Sequence, residues 1–209
     1  ARCKNDLDKR LSREIESHLE TRTSYFSTLE TALQYRLADR QAGFDGTCRV
    51  TVYRRTAEDH RQLKRIFRYA DAKKWGDKEV GRLKLPLDEG IVGAAWLNGG
   101  VDEFSCDDPP SSPAFEDAMK QHLEEKGCKV PDTALTMPSR HFIARGVKSP
   151  VDGEQVAVVV YESTTTGTLD HEAIRELFAN DSLQVARLIH VLGVLDTKLN
   201  PDDGGEVDG

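Results

Sequence analysis

The side chains able to do chemistry are scattered along this sequence. Its four cysteines, Cys3, Cys48, Cys106 and Cys128, are widely spaced and form no CxxC pair. A disulfide framework is open on parity, but a chain of 209 residues needs no such staple, and reduced thiols are the expectation. The six histidines, His18, His60, His122, His141, His171 and His190, show no zinc-like spacing with a Cys, Asp or Glu cluster, so no metal is expected. Asp107-Asp108 stands just before Pro109-Pro110 and reads as a solvated turn rather than a hard-cation site. No Walker loop and no dinucleotide fingerprint is present. The net charge of −7 argues against a nucleic-acid duplex as partner, because phosphate binding relies on clustered Lys and Arg. The basic stretch Arg61 to Arg68 alternates its charges with apolar residues and reads as the wet face of a strand.

The elements that must position these residues are better marked. From about Asp6 to Arg40 there is no Gly or Pro. Apolar positions recur there at Leu7, Leu11, Ile15, Leu19, Phe26, Leu29, Leu33 and Leu37, and from Ile15 the steps of four and three trace a heptad seam with Arg22 as a polar interruption. This predicts a long helix, ended by Gly43 and Gly46. Arg49–Arg54 and Leu63–Tyr69 are β-rich runs joined by a polar turn, a hairpin pattern. Gly81–Leu85 predicts a short strand stopped by Pro86. Asp88–Trp96 reads as a turn feeding a helix, and Val101–Phe104 as a short strand. Ser112 and Pro113 mark the cap and first residue of a helix reaching about Lys126. Arg140–Val147 and Val156–Tyr161 form a second hairpin around Asp152-Gly153. The second of these runs is almost wholly apolar, as in a strand covered on both faces. A last helix starts near Leu169, with Thr168 or Asp170 as cap. Three segments follow: a coiled-coil-like helix over 1–43, a folded domain over 44–194, and an acidic tail over 195–209 expected to be disordered. No apolar run approaches the ~20 residues that span a bilayer. The basic start, Ala1-Arg2-Cys3-Lys4, leads straight into a helix, as sequences do on the cytoplasmic side of a membrane span. A membrane anchor upstream and a cytoplasmic location are the resulting expectations.

The order of elements resembles the GAF domain. Three stretches carry the likeness: Leu85 to Trp96, with its Gly90-x-x-Gly93 helix entry; Thr136-Met137-Pro138-Ser139-Arg140 leading into Phe142-Ile143-Ala144; and Val156 to Tyr161 closing on Glu162-Ser163. It covers roughly Phe44 to Val194, with the PAS domain as the nearest competitor. The resemblance implies an α+β, three-layer fold. A central antiparallel sheet of five or six strands would carry the N- and C-terminal helices on one face and pocket-side helices and loops on the other. It implies a sensory or regulatory module. Free methionine sulfoxide reductases share this likeness, but Leu85–Trp96, where that family places a cysteine, holds none. Cys106 has no adjacent His, which departs from bilin-attaching relatives, and the Asn-Lys-Phe-Asp-Glu signature of cyclic-nucleotide binders is absent.

If the module has a pocket, its wall is the sheet face opposite the terminal helices plus the loop from Trp96 to Ser112. Phe67, Tyr69, Trp96, Phe104 and Phe142 are the candidate aromatic rim, with Arg140 as anchor for a carboxylate or phosphate. The helical seam is too long to bury on one small domain, so Ile15, Leu19, Phe26 and Leu29 are expected to face a second copy. The reading is a non-catalytic, dimeric sensor relaying a small-molecule or partner signal through its terminal helices, with its cofactor unspecified. The alternatives are a pocketless interaction and dimerisation scaffold, and a thiol enzyme using Cys106.

Overall fold

The computed structural model describes the backbone of residues 2–38, 43–56, 59–76, 81–131, 135, 137–149 and 151–199, and side chains from 17 to 196 within those ranges. Five helices and six strands alternate along the described chain. They are α1 (Arg2–Leu37), β1 (Cys48–Arg55), β2 (Gln62–Ala70), α2 (Lys73–Gly76), β3 (Lys84–Pro86), α3 (Gly90–Leu97), β4 (Val101–Ser105), α4 (Pro113–Glu125), β5 (His141–Lys148), β6 (Gln155–Ser163) and α5 (His171–Leu199). The strands form one sheet in the order β3-β2-β1-β6-β5-β4, and every neighbouring pair is antiparallel. This is the α+β fold that the resemblance implied.

Strand alternation divides the sheet into two unlike faces. On β1, Cys48, Val50 and Val52 point into a core with Tyr161, Val159 and Ile143 of the central strands. Long α5 covers this face, supplying Ile174, Val185, Ile189 and Leu192. Helix α1 packs on α5, and Arg36 pairs with Asp181 at 2.8 Å. At the far end of α5, Lys64 meets Asp196 at 2.9 Å. Gly193 lets Arg54 lie across the helix, since a Cβ there would stand 2.2 Å from the guanidinium.

The second face carries α3 and α4 over β4, β5 and β6. Ile91, Ala94, Phe115, Met119 and Leu123 from the helices meet Phe104, Phe142, Val158 and Val160 from the strands. Gly93 is required here, because a Cβ at this position would come within 2.9 Å of the Leu87 carbonyl oxygen. Helix α4 starts as its sequence predicts: Pro113 opens it, and the Ser112 side chain accepts a hydrogen bond from the Phe115 amide at 3.2 Å.

Two boundaries differ from the sequence reading, those at Pro86 and at the end of α5, while the cap of α5 is one of the two residues expected. Pro86 is the last residue of β3, paired with Gln62 on an edge where its missing N–H does no harm. Asp170 caps α5, its carboxylate accepting from the Ala173 amide at 3.0 Å. Helix α5 continues through 195–199, a stretch assigned above to the tail; residues 200–209 lie outside those described. Among the described residues no helix is long and apolar enough to cross a membrane.

Candidate functional site

The predicted rim residues do not converge. Phe67 stands opposite Val52, and Tyr69 opposite Val50, so both lie on the face covered by α5. Phe67 is 4% exposed within that core, and Tyr69 packs against it, stacked on Phe44 at 5.9 Å between centroids. Alternation correctly places these two on a common face, but only the β1 partners decide which face, and a register irregularity between Val52 and Tyr53 shifts the parity further along. Phe104 and Phe142 do lie on the second face, 6.2 Å apart, yet both are buried, and Phe115 of α4 packs edge-on to Phe104 at 5.6 Å. Both belong to the apolar core under α3 and α4. Trp96 is half-buried beneath the Arg55 guanidinium, 5.8 Å away. Arg140 lies towards the other end of β1, where its amide donates to the Ser163 carbonyl and its Nη1 to the Asp107 carbonyl at 3.2 Å. It clasps the loop after β4.

The seam residues divide in a graded way. Leu33 and Leu37 are fully buried, Phe26 and Leu29 partly buried against the same core, and Leu19 is 46% exposed. Phe26 and Leu29, expected to meet a second copy, therefore pack largely at home; the Ile15 side chain lies outside those described. A helix of 36 residues is about 54 Å long, whereas the nine-residue strands β2 and β6 span about 30 Å. The stripe thus runs out of the domain as it nears Leu19.

What the second face does bring together is charge. Opposed residues across β2, β1 and β6 are Ala70, Arg49 and Glu162 in one row, then Arg68, Thr51 and Val160 in the next, with Arg65 and Tyr53 beyond. Arg49, Arg65, Arg68 and Glu162 are all at most 7% exposed, and Thr51 is fully buried. The stretch read as the wet face of a strand therefore buries two of its arginines. Arg49 holds Glu162 in a fork: Nε to Oε2 at 2.7 Å and Nη2 to Oε1 at 2.8 Å. Ser139, fully buried, adds a contact from Oγ to Glu162 Oε1 at 3.4 Å. Burial works against the Arg49 charge, but Glu162 outweighs it and holds the guanidinium above its ordinary value. Arg68 is pushed down to about 10, first by burial and then by the neighbouring Arg49 charge. Tyr53 is pushed up by burial, with Glu162 adding to the effect.

Two further polar groupings went unseen in the sequence. On the α5 side, Glu103 of β4 meets both His171, the first residue of α5, and His141 of β5, the latter at 3.4 Å. Arg145 Nη2 lies 2.9 Å from His171 Nε2. Arginine can only donate, so this nitrogen is the acceptor and Nδ1 carries the proton given to Glu103. On the other face, buried Asp102 receives His122 Nε2 at 2.9 Å and Lys126 at 3.7 Å. The one available signal was a charged residue at a core-facing position of a strand, as with Arg49 and Glu162. Among the described residues no group of three or more His, Cys, Asp or Glu could hold a metal ion. Cys48 and Cys128 are buried, and burial pushes both thiols up; Cys106 is half-exposed, 3.8 Å from an Asp108 carboxylate oxygen.

No protein-family model matches this chain, and no curated protein matches it in sequence. Solved structures do resemble it. The type II free methionine-R-sulfoxide reductase from Thermoplasma acidophilum superposes with a TM-score of 0.52 at 15% identity, over 82% of this chain and 96% of that one. The GAF domains of phosphoenolpyruvate-protein phosphotransferases from Acinetobacter and Coxiella burnetii each give 0.50, at 14% and 17% identity, over 86% of this chain and 94% of theirs. At these identities the likeness establishes the fold.

Proposed function

Taking the GAF-like fold as premise, we propose that this chain is a non-catalytic regulatory module that senses a small molecule and passes the signal to its terminal helices. The observation that carries this reading is the alternation of β1. Cys48, Val50 and Val52 belong to the core beneath α5, while Arg49, Thr51 and Tyr53 belong to the buried charged patch. A change in the charge environment of Arg49 and Glu162 acts on the same strand that seats α5, and α1 rides on α5. Ligand binding that favours one seating of α5 would shift the helix pair by its differential affinity for the two states. The exposed continuation of the α1 stripe at Leu19 supports a second copy of the chain as the receiver, in a cytoplasmic setting.

Native mass spectrometry of the full chain purified from cells tests the sensing. An adduct of small-molecule mass, lost on denaturation, is the expected result. A bare protein mass counts against it. Sedimentation at micromolar concentrations tests the dimer, and a monomer there sinks that part.

One observation favours a second reading, the pocketless scaffold: Phe104, Phe115 and Phe142 fill the α3–α4 half of the second face. A bare mass combined with a dimer is its signature. Thiol catalysis is not part of this reading: burial pushes the Cys48 and Cys128 thiols up, and half-exposed Cys106 lies 3.8 Å from a carboxylate, that of Asp108, rather than from a base such as histidine. Turnover of free methionine sulfoxide that is lost in Cys106→Ser would overturn that choice.

A further inference from the structure

We propose that Glu103, His171 and Arg145 form a pH-sensitive clasp, which ties the start of α5 to both β4 and β5 while His171 is neutral and releases β5 when His171 takes up a proton. The inference goes beyond the sensing of a small molecule: its input is the proton, and it lies on the α5 face of the sheet, opposite the Arg49–Glu162 pair. Strand register assembles it. His141, Ile143 and Arg145 alternate along β5 toward α5, and Glu103 of β4 stands opposite Ile143, at a level between the two basic residues. His171, the first residue of α5, closes the group. Its Nδ1 pairs with Glu103 Oε2, and its Nε2 lies 2.9 Å from Arg145 Nη2. From the other side His141 Nε2 reaches Glu103 Oε1 at 3.4 Å.

The clasp reads pH because its two outer members keep their charges where its central one changes. Histidine takes up a proton between about pH 5 and 8, whereas arginine stays charged. Burial works to raise the Glu103 carboxyl, but hydrogen bonding and attraction from His171 and His141 outweigh it and hold the group below its ordinary value of 4.5. Glu103 therefore remains a carboxylate throughout. While His171 is neutral, one imidazole serves both partners: it donates from Nδ1 to Glu103 and accepts at Nε2 from Arg145. Protonation removes that acceptor. Two N–H groups and two cations would then face each other across 2.9 Å, and the positive end of the α5 dipole adds to the repulsion. The pull towards Glu103 strengthens at the same moment. The ring is thus drawn to β4 and parted from Arg145. The His171 side chain is 37% exposed, so the proton arrives from solvent with the fold intact. His141 is less suited to the role, because it is buried and its Nδ1 has no hydrogen-bond partner among the described residues. A proton added there would be an orphaned donor. The other charged or titratable groups around the clasp are Glu172 and Arg175 on α5, Tyr161 on β6, and Asp170 just ahead of α5. Release is confined to the first turn of α5, since Ile174 stays in the core and Lys64 still holds Asp196 at the far end.

The experiment is NMR spectroscopy of the nitrogen-labelled full chain, followed from pH 8 to pH 5. At pH 8 the His171 ring should show the Nδ1–H tautomer. The amides of Ala173 and Ile174 donate to Asp170 in the first turn of α5. Their protection against hydrogen exchange, corrected for the intrinsic rate, should fall about tenfold or more by pH 5, as loss of a hydrogen bond to a charged group does. His171→Gln can still accept from Arg145 but takes no proton, and should abolish the fall; His141→Gln should keep it. Arg145→Gln should show the low protection already at pH 8. Because Arg145 is buried, that variant is first checked for folding by circular dichroism. The wild-type ring signal and His171→Gln, at a partly exposed position, keep the test decisive if it unfolds. An Nε2–H tautomer at pH 8, protection that stays level, or a fall that persists in His171→Gln overturns the clasp. Each of these outcomes leaves the sensing reading standing, because that reading turns on the bound small molecule.

Discussion

The two faces of the sheet are built from the same strands and solve different problems. Beneath α5 the inward residues form one apolar field from Phe67 to Ile143, closed by Ile174, Ile189 and Leu192, with its charged cluster of Glu103, His141, Arg145 and His171 kept to the β4–β5 edge. The opposite face is apolar under α3 and α4, and elsewhere it buries three arginines and two hydroxyl residues on β1 and β2 with a glutamate on β6. Packing a helix requires only the first arrangement. Buried charge contributes little net stability even when well paired, because desolvation offsets most of the attraction. The contrast teaches that net stability comes mainly from the apolar face, with the charged patch contributing little to it.

The largest expected effect breaks this patch from within. Glu162→Gln leaves Arg49 charged and buried without its carboxylate, and should cost about 3–5 kcal/mol in urea unfolding. Replacing both partners, as Arg49→Met with Glu162→Leu, should recover most of that loss. If the double variant stays as unstable as the single one, the pair is part of what holds the fold, and the contrast between the faces fails. The matching cut on the other face is Ile189→Ala, which opens a cavity in the α5 core and should cost about 2–5 kcal/mol. No second substitution nearby should restore it, since there the lost quantity is packing rather than an orphaned charge.

Much of the frame was legible in the sequence, and the reasons are local. Ser112-Pro113 announced α4 because capping is decided within four residues. The apolar run from Val156 announced β6, and the heptads in a stretch without Gly or Pro announced α1. The faces were not legible in the same way. Phe67 and Tyr69 carry no mark of which side β1 and β6 will present to α5, and the irregularity at Val52/Tyr53 is invisible in alternation. Arg65 and Arg68 read as surface residues because a basic, alternating strand normally is one, yet both are buried. Glu103, His141 and His171 meet only because β4, β5 and the start of α5 converge, a contact of long sequence separation with no motif behind it. The charged patch thus lay at positions where local rules and the final fold disagree.

A smaller effect sharpens the comparison from the α5 side. Burial alone would raise the Glu103 carboxyl, but hydrogen bonding and attraction from His171, with His141 behind it, hold it below its ordinary value of 4.5. A carboxylate depressed on folding contributes stability that is fully present above pH 4.5 and is lost as the pH falls through the lower, folded value. Wild type should therefore exceed Glu103→Gln in stability at pH 6, and the gap should close towards pH 3. The charges facing Glu103 include His141, Arg145 and His171, with Glu172 and Arg175 further along α5. Urea titrations across that range read the gap directly, and a constant gap would mean that Glu103 acts through packing alone.

The smallest expected effect on stability belongs to Leu19, and it bears on where the α5 face ends. Its side chain is 46% exposed, on a stripe that is fully buried at Leu33 and Leu37. In an isolated chain Leu19→Ser should change stability by no more than about 0.5 kcal/mol, as surface substitutions do. If the stripe continues into a second copy, the same change should instead weaken self-association, and the apparent melting temperature of wild type should rise with protein concentration while that of the variant stays flat. Concentration-independent melting in both would confine the role of α1 to its own domain, with the helix pair ending where Phe26 leaves the core.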